Sequence, residues 1–261
     1  MLIDVHSHLT FKAFEKDLDE VIERAKNAGV VAILCSGVDH ESNVKVLELS
    51  KKQSIIKSSL GIYPLDAVGL GHYDDVPRET RAIDVDAEIE FIRKNKDNII
   101  SIGEIGLDKS PEEPKLKEQE EVFWKAIKLA EEIKKPIVVH TRKAEKECIE
   151  ILESSKIKNV VLHCFTGNLK LVKKAEDLNF YLSIPTIITR LKHFQEVVEK
   201  ISLNNILTET DAPYLSHIKG ERSEPSHIKE TIKIIAQIKK ITEEEAENII
   251  FSNYQKIFLK K

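Results

Sequence analysis

Apolar positions in this chain follow two rhythms that alternate from end to end. Short runs rich in β-branched residues read as strands: "LIDVH" (2–6), "VVAILCS" (30–36), "IIKSSLG" (55–61), "IISIGEIG" (99–106), "PIVVHT" (136–141), "NVVLHCF" (159–165), "FYLSIP" (180–185) and "NILTETD" (205–211). Each is followed by a longer stretch with helical spacing. In "KEQEEVFWKAIKLAEEIKK" (117–135), Val122, Phe123, Ala126, Ile127, Ala130 and Ile133 share one face. Pro136 stops that helix and opens the next strand.

Strict alternation of strand and helix implies parallel strands with right-handed crossovers. Eight such units in about 250 residues match a (β/α)8 TIM barrel, an α/β fold, here as a single domain over 1–261. An additional C-terminal helix starts at "TEEEAENIIF", where Thr242 and Glu245 form a capping box. A doubly wound open sheet is the alternative, but no Gly-x-Gly-x-x-Gly follows any strand. The longest irregular stretches, 62–83 and 212–225, both follow strands. They therefore belong to the C-terminal face of a barrel, where active sites lie.

Composition narrows the class. With 41% hydrophobic and 32% charged residues, the 261-residue chain suits a soluble globular protein. No apolar run approaches the ~18 residues of a membrane span, and the start lacks the pattern of a signal peptide. Cys35, Cys148 and Cys164 read as reduced thiols of a cytoplasmic protein. A net charge of −4 argues against a chain-wide basic surface for nucleic acid but leaves room for a local basic rim.

Ligand-type side chains gather where the strands end. His6 and His8 close the first run, Glu104 the fourth, His140 the fifth, His163 the sixth and Asp211 the eighth. In a barrel these ends converge on one rim. Period-two alternation points His6 and His8 to the same side, towards the mouth. Any one of these histidines alone is more often a satisfied core residue; the set of six indicates metal. Four imidazoles and two carboxylates suit Zn, Mn, Ni or Fe. They are too many for one tetrahedral site that must also hold water. Shared between two ions by a bridging carboxylate, they leave open positions suited to in-line displacement by water. Cys164 has the opposite parity to His163 and reads as core.

"DVHSHL", "IGEIGLD", "VVHTR", "LHCFTG" and "LTETDAPYL", in this order and spacing, resemble the TatD family of metal-dependent hydrolases, a barrel branch of the amidohydrolase superfamily. "GERSEP" (220–225) is similar to the family's Arg-Asn-Glu-Pro segment and "SNYQKIF" (252–258) to its C-terminal helix, so the resemblance spans essentially the whole chain. It implies two divalent ions (Zn, Mn, Mg, Ni or Fe). His6 and His8 would hold one, His140 and His163 the other, and Glu104 would bridge them. Asp211 would complete the first site and act as general base, which makes Glu104 and Asp211 the catalytic carboxylates. It further implies a deoxyribonuclease, often a 3′-to-5′ exonuclease, acting on DNA that is single-stranded or presented at 3′ ends.

Two dications against Glu104, Glu209 and Asp211 leave the mouth about +1, which suits a phosphate. Lys109, Arg142, Lys143, Arg190 and Arg222 follow strands and can rim it. Substrate contacts are expected from Tyr63, Arg142, Glu209 and Arg222. Tyr63, in "LGIYP", stands where the family commonly has histidine. A phenol there can donate to a phosphoryl oxygen but cannot become cationic at neutral pH. Metal-activated water fits a carbonyl as well as a phosphorus, so an amidase, a lactonase or a D-aminoacyl-tRNA deacylase is the competing enzyme class. A non-catalytic metal-dependent binding protein is the third class; it would have no need of Asp211.

Overall fold

All eight strand-like runs are strands in the computed structural model, which describes residues 1–71 and 83–259. They are β1 (Leu2–Ser7), β2 (Val30–Ser36), β3 (Ile56–Leu60), β4 (Ser101–Gly106), β5 (Ile137–His140), β6 (Val160–His163), β7 (Tyr181–Pro185) and β8 (Ile206–Glu209). Neighbours in sequence are neighbours in the sheet, and every pair is parallel. The helices between them are α1 (Leu18–Asn27), α2 (His40–Lys52), α3 (Pro64–Ala67), α4 (Val85–Lys94), α5 (Leu116–Ile133), α6 (Glu145–Ser154), α7 (Leu169–Asp177) and α8 (Lys192–Lys200). After β8 come α9 (Ile228–Lys239) and the additional helix α10 (Glu243–Tyr254). This is the expected (β/α)8 TIM barrel.

The sheet closes between β8 and β1. The Thr208 hydroxyl donates to the Ile3 carbonyl at 2.7 Å. Beyond the strand ends, Asp211 N–H donates to the His6 carbonyl at 2.9 Å and His8 N–H to the Ala212 carbonyl at 2.7 Å. Buried Asp4 reinforces the seam by accepting from the Thr210 N–H at 3.0 Å and its hydroxyl at 2.6 Å. Burial pushes the Asp4 carboxyl up to about 7. His8 and Asp211 thus lie just past β1 and β8 rather than within them, each held by the other strand's end.

Helix α5 shows how the outer layer packs. Phe123, Ala126, Ile127 and Ala130 are buried as its spacing predicts, together with Gln119 and Leu129. Val122 and Ile133 are only partly buried against the same core. The helix ends at Ile133 with Lys134 left-handed at φ 56°, two residues ahead of Pro136, whose ring disfavours helix in the preceding residue. The capping box of α10 forms as read, with Thr242 Oγ1 accepting from Glu245 N–H at 3.1 Å and Glu245 Oε2 from Thr242 N–H at 2.8 Å. Of the two irregular stretches, 212–225 is described throughout, whereas residues 72–82 of the other lie outside the described residues. No described helix is long and apolar enough to cross a membrane.

Candidate metal centre

Five strand ends bring the six ligand-type residues to one buried cluster at the C-terminal face. Its centre is Glu104, a residue with no exposed surface. Glycines let the neighbouring backbone close on it. A Cβ at Gly61 would sit 2.2 Å from the Glu104 amide nitrogen, and one at Gly106 (φ +139°) would sit 2.1 Å from the His140 carbonyl oxygen.

The two Glu104 oxygens face different partners. Oε2 lies 3.5 Å from His6 Nε2 and 3.4 Å from His8 Nε2. Asp211 Oδ1 lies 3.6 and 3.5 Å from the same two nitrogens, which are 3.1 Å apart. Donor atoms spaced like these can share one ion at bonds of about 2.1 Å, the length of a zinc–nitrogen bond. Both oxygens are buried and, among the described residues, neither has a hydrogen-bond partner. Two carboxylate oxygens left in this way beside two imidazole nitrogens are the donor set of a cation, and the fit is good.

Oε1 faces the second set. It lies 2.7 Å from His140 Nδ1 and 3.0 Å from His163 Nε2, and these nitrogens are 3.2 Å apart. Three donors converge there. The sets adjoin, since the His6 and His163 rings stack at 4.0 Å between centroids. Beside them a cleft of about 110 Å³ is lined by His140, Arg142, His163, Cys164, Asp211 and Tyr214.

The electrostatics also call for positive charge. Burial opposes ionisation of Glu104, but His163, His140 and His6 outweigh it and hold its carboxyl well below the usual carboxylate range. Burial likewise opposes charge on His8 and His140. Asp211 and Glu104 outweigh it at His8, and Asp108 and Glu104 at His140, raising each to about 9.

Residues 3–259 match the family described as TatD related DNase. The chain belongs to the TatD family. It is 37% identical to an uncharacterized metal-dependent hydrolase of Methanocaldococcus jannaschii, over 99% of this chain and 97% of that protein. It is 33% identical to deoxyribonuclease TATDN3 of Homo sapiens, over 99% of this chain and 95% of that one. The solved TatD homologue YJJV of Escherichia coli has a TM-score of 0.88 at 22% identity, covering 100% of this chain and 98% of that chain, a likeness of fold. The protein is a metal-dependent hydrolase.

Within this TatD site, the residues expected at the substrate are placed unequally. Arg142 lines the cleft, with Nε 3.8 Å from Asp108. The other three expected residues are engaged with partners within the protein. Tyr63 is 2% exposed and its hydroxyl donates to Asp108 at 2.7 Å, so it stands behind His140 rather than at the mouth. Glu209 has no exposed surface. It accepts from the Ser183 hydroxyl and lies 3.9 Å from His163 Nδ1, behind that ring. Burial, followed by repulsion from Asp211, pushes its carboxyl well above the usual range.

Arg222 forks onto Asp17 at 2.8 and 2.5 Å and lies over the Phe14 ring at 4.5 Å. Its neighbour Glu224 receives a second fork, from Arg24, so "GERSEP" ties the last loop to the first helix. Of the remaining expected rim cations, Lys109 pairs with Glu147 at 2.7 Å and Arg190 donates to the Ser216 carbonyl at 3.2 Å, while Lys143 is exposed.

Sequence reasoning missed the groups that hold the histidines from behind. Ser36 serves two of them. Its Oγ lies 3.1 Å from His6 Nδ1, and its carbonyl accepts from His8 Nδ1 at 3.1 Å. Asp108 accepts from His140 Nε2 at 3.0 Å. A signal existed for each: a serine ends the second run, and an acid lies four residues beyond Glu104 in "GEIGLD".

Proposed function

We propose that the chain is a two-ion phosphodiesterase acting on DNA, removing nucleotides from 3′ ends, with residues 1–261 as one catalytic domain. The observation that carries this reading is the split of Glu104, whose oxygens each face a separate pair of imidazole nitrogens at 2.7 to 3.5 Å. His6, His8 and Asp211 would hold one ion, His140 and His163 the other, and Glu104 both. The pair of dications, of the Zn, Mn, Mg, Ni or Fe type, supplies Lewis acidity for water and for the scissile phosphoryl group.

The chain's own side chains do the rest. The Asp211 carboxylate is favoured in its ionised form because the neighbouring imidazoles of His8, His6 and His163 outweigh its burial. It accepts the proton of the attacking water as general base. Arg142, on the cleft wall, places positive charge beside the position of a phosphate. The human relative's name, deoxyribonuclease, supports DNA as substrate. Three free thiols support a reducing, cytoplasmic setting.

A metal-reconstituted panel tests the proposal: single-stranded DNA with free and blocked 3′ ends, RNA, a simple phosphodiester and a D-aminoacyl ester. Cleavage of DNA that is lost when the 3′ end is blocked is the expected result. Turnover of the aminoacyl ester alone would transfer the site to carbonyl hydrolysis.

A further inference from the structure

We propose that Tyr63 and Asp108 form a positioning relay that sets which nitrogen His140 presents to the second ion, and so sets the affinity for that ion. The inference rests on the two-ion reading above. His140 is turned opposite to the other three histidines. It presents Nδ1 to Glu104 and points Nε2 backwards, whereas His6, His8 and His163 present Nε2.

The turn has a visible cause. Asp108 Oδ2 accepts from His140 Nε2–H at 3.0 Å and from the Tyr63 hydroxyl at 2.7 Å, while Oδ1 accepts from Ser110 N–H at 2.7 Å. A proton fixed on Nε2 leaves the lone pair on Nδ1, the atom nearest Glu104.

Asp108 is itself held rigidly. Fully buried Gln119, on α5, accepts from Asp108 N–H at 2.7 Å and donates to the Asp108 carbonyl at 2.9 Å. The Tyr63 ring stands edge-on to His140 at 5.1 Å and 74°. Its backbone is fixed by donation from Tyr63 N–H to the Val38 carbonyl at 2.8 Å. The tyrosine therefore fixes both the carboxylate and the face of the ring. The histidines of the first ion lean on the neutral oxygens of Ser36 instead. The two ions are thus governed by separate groups behind their ligands.

Calorimetric titration of the metal-free protein with Zn²⁺ or Mn²⁺ tests this, together with ¹⁵N shifts of the His140 ring in the zinc-loaded protein. The wild type is expected to bind two equivalents. D108N should weaken the second equivalent about 10- to 100-fold and leave the first within about threefold. Y63F, whose ring still fills the same space, should act in the same direction by a smaller factor. S36A should weaken the first equivalent instead. In D108N the His140 shifts should report a mixture of ring protonation sites, which a loss of packing alone would not produce. Two equivalents with unchanged affinities in D108N and Y63F, or equal weakening of both equivalents, would overturn the relay and leave the two-ion reading intact. Fewer than two equivalents in the wild type would overturn both.

Discussion

Asp211 has a dual position: Oδ1 belongs to the first donor set, and the side chain also lines the cleft. Replacing it with asparagine keeps the size and one oxygen but removes the base. Asp211→Asn is therefore expected to retain metal while turnover falls by about 10²- to 10⁴-fold. Metal content measured beside kcat checks this, and near-normal turnover would refute the general-base role. The six ligand-type residues were legible because their chemistry is written in the side chain and their position at strand ends is written in the alternation. Asp108 and Ser36 were marked only by their places near strand ends, because a carboxylate or hydroxyl behind a ring has no spacing rule that assigns it to a particular histidine. The Arg222–Asp17 fork was not legible either, because the two residues lie 205 positions apart and no local pattern announces so distant an ion pair.

At the scale of the element, the helical face of α5 was readable to within a residue or two, because its burial follows 3.6-residue geometry. The strand ends were less readable. β8 stops at Glu209, and the next residues leave the ladder to meet β1. That seam belongs to the closed barrel and to neither strand alone. Phe123 is 1% exposed beneath α5, on the helix that also carries Gln119. Phe123→Ala is expected to cost about 3–5 kcal/mol, read as a lower urea midpoint. Metal stoichiometry in the fraction still folded should stay at the wild-type value; loss of one ion without loss of stability would contradict this account of the helix.

For the whole molecule, the seam is fastened outside the sheet by the Arg24 fork on Glu224, across 200 positions of sequence, at 2.7 to 3.1 Å. Burial resists charge on Glu224, but the fork outweighs it and holds the carboxyl below its ordinary 4.5. A depressed acid stabilises the fold above its unfolded pKa and loses that contribution as pH falls through the folded one. Arg24→Met should therefore lower stability by on the order of 1 kcal/mol at pH 7, and the gap to wild type should close below about pH 4.5. Urea midpoints at pH 7 and pH 3.5 measure both. The barrel has its own core, so chelation should abolish activity while the far-ultraviolet circular dichroism remains that of the fold. Unfolding on chelation would show that the ions are part of the scaffold.

The seam also bears on how the protein is made. Asp211 meets His6 and His8 only through hydrogen bonds between the first and last strands of the barrel. During synthesis the ligands of the second ion, ending with His163, emerge from the ribosome well before the eighth strand. On the proposed two-ion reading, the first donor set is complete only when the final strand closes the ring.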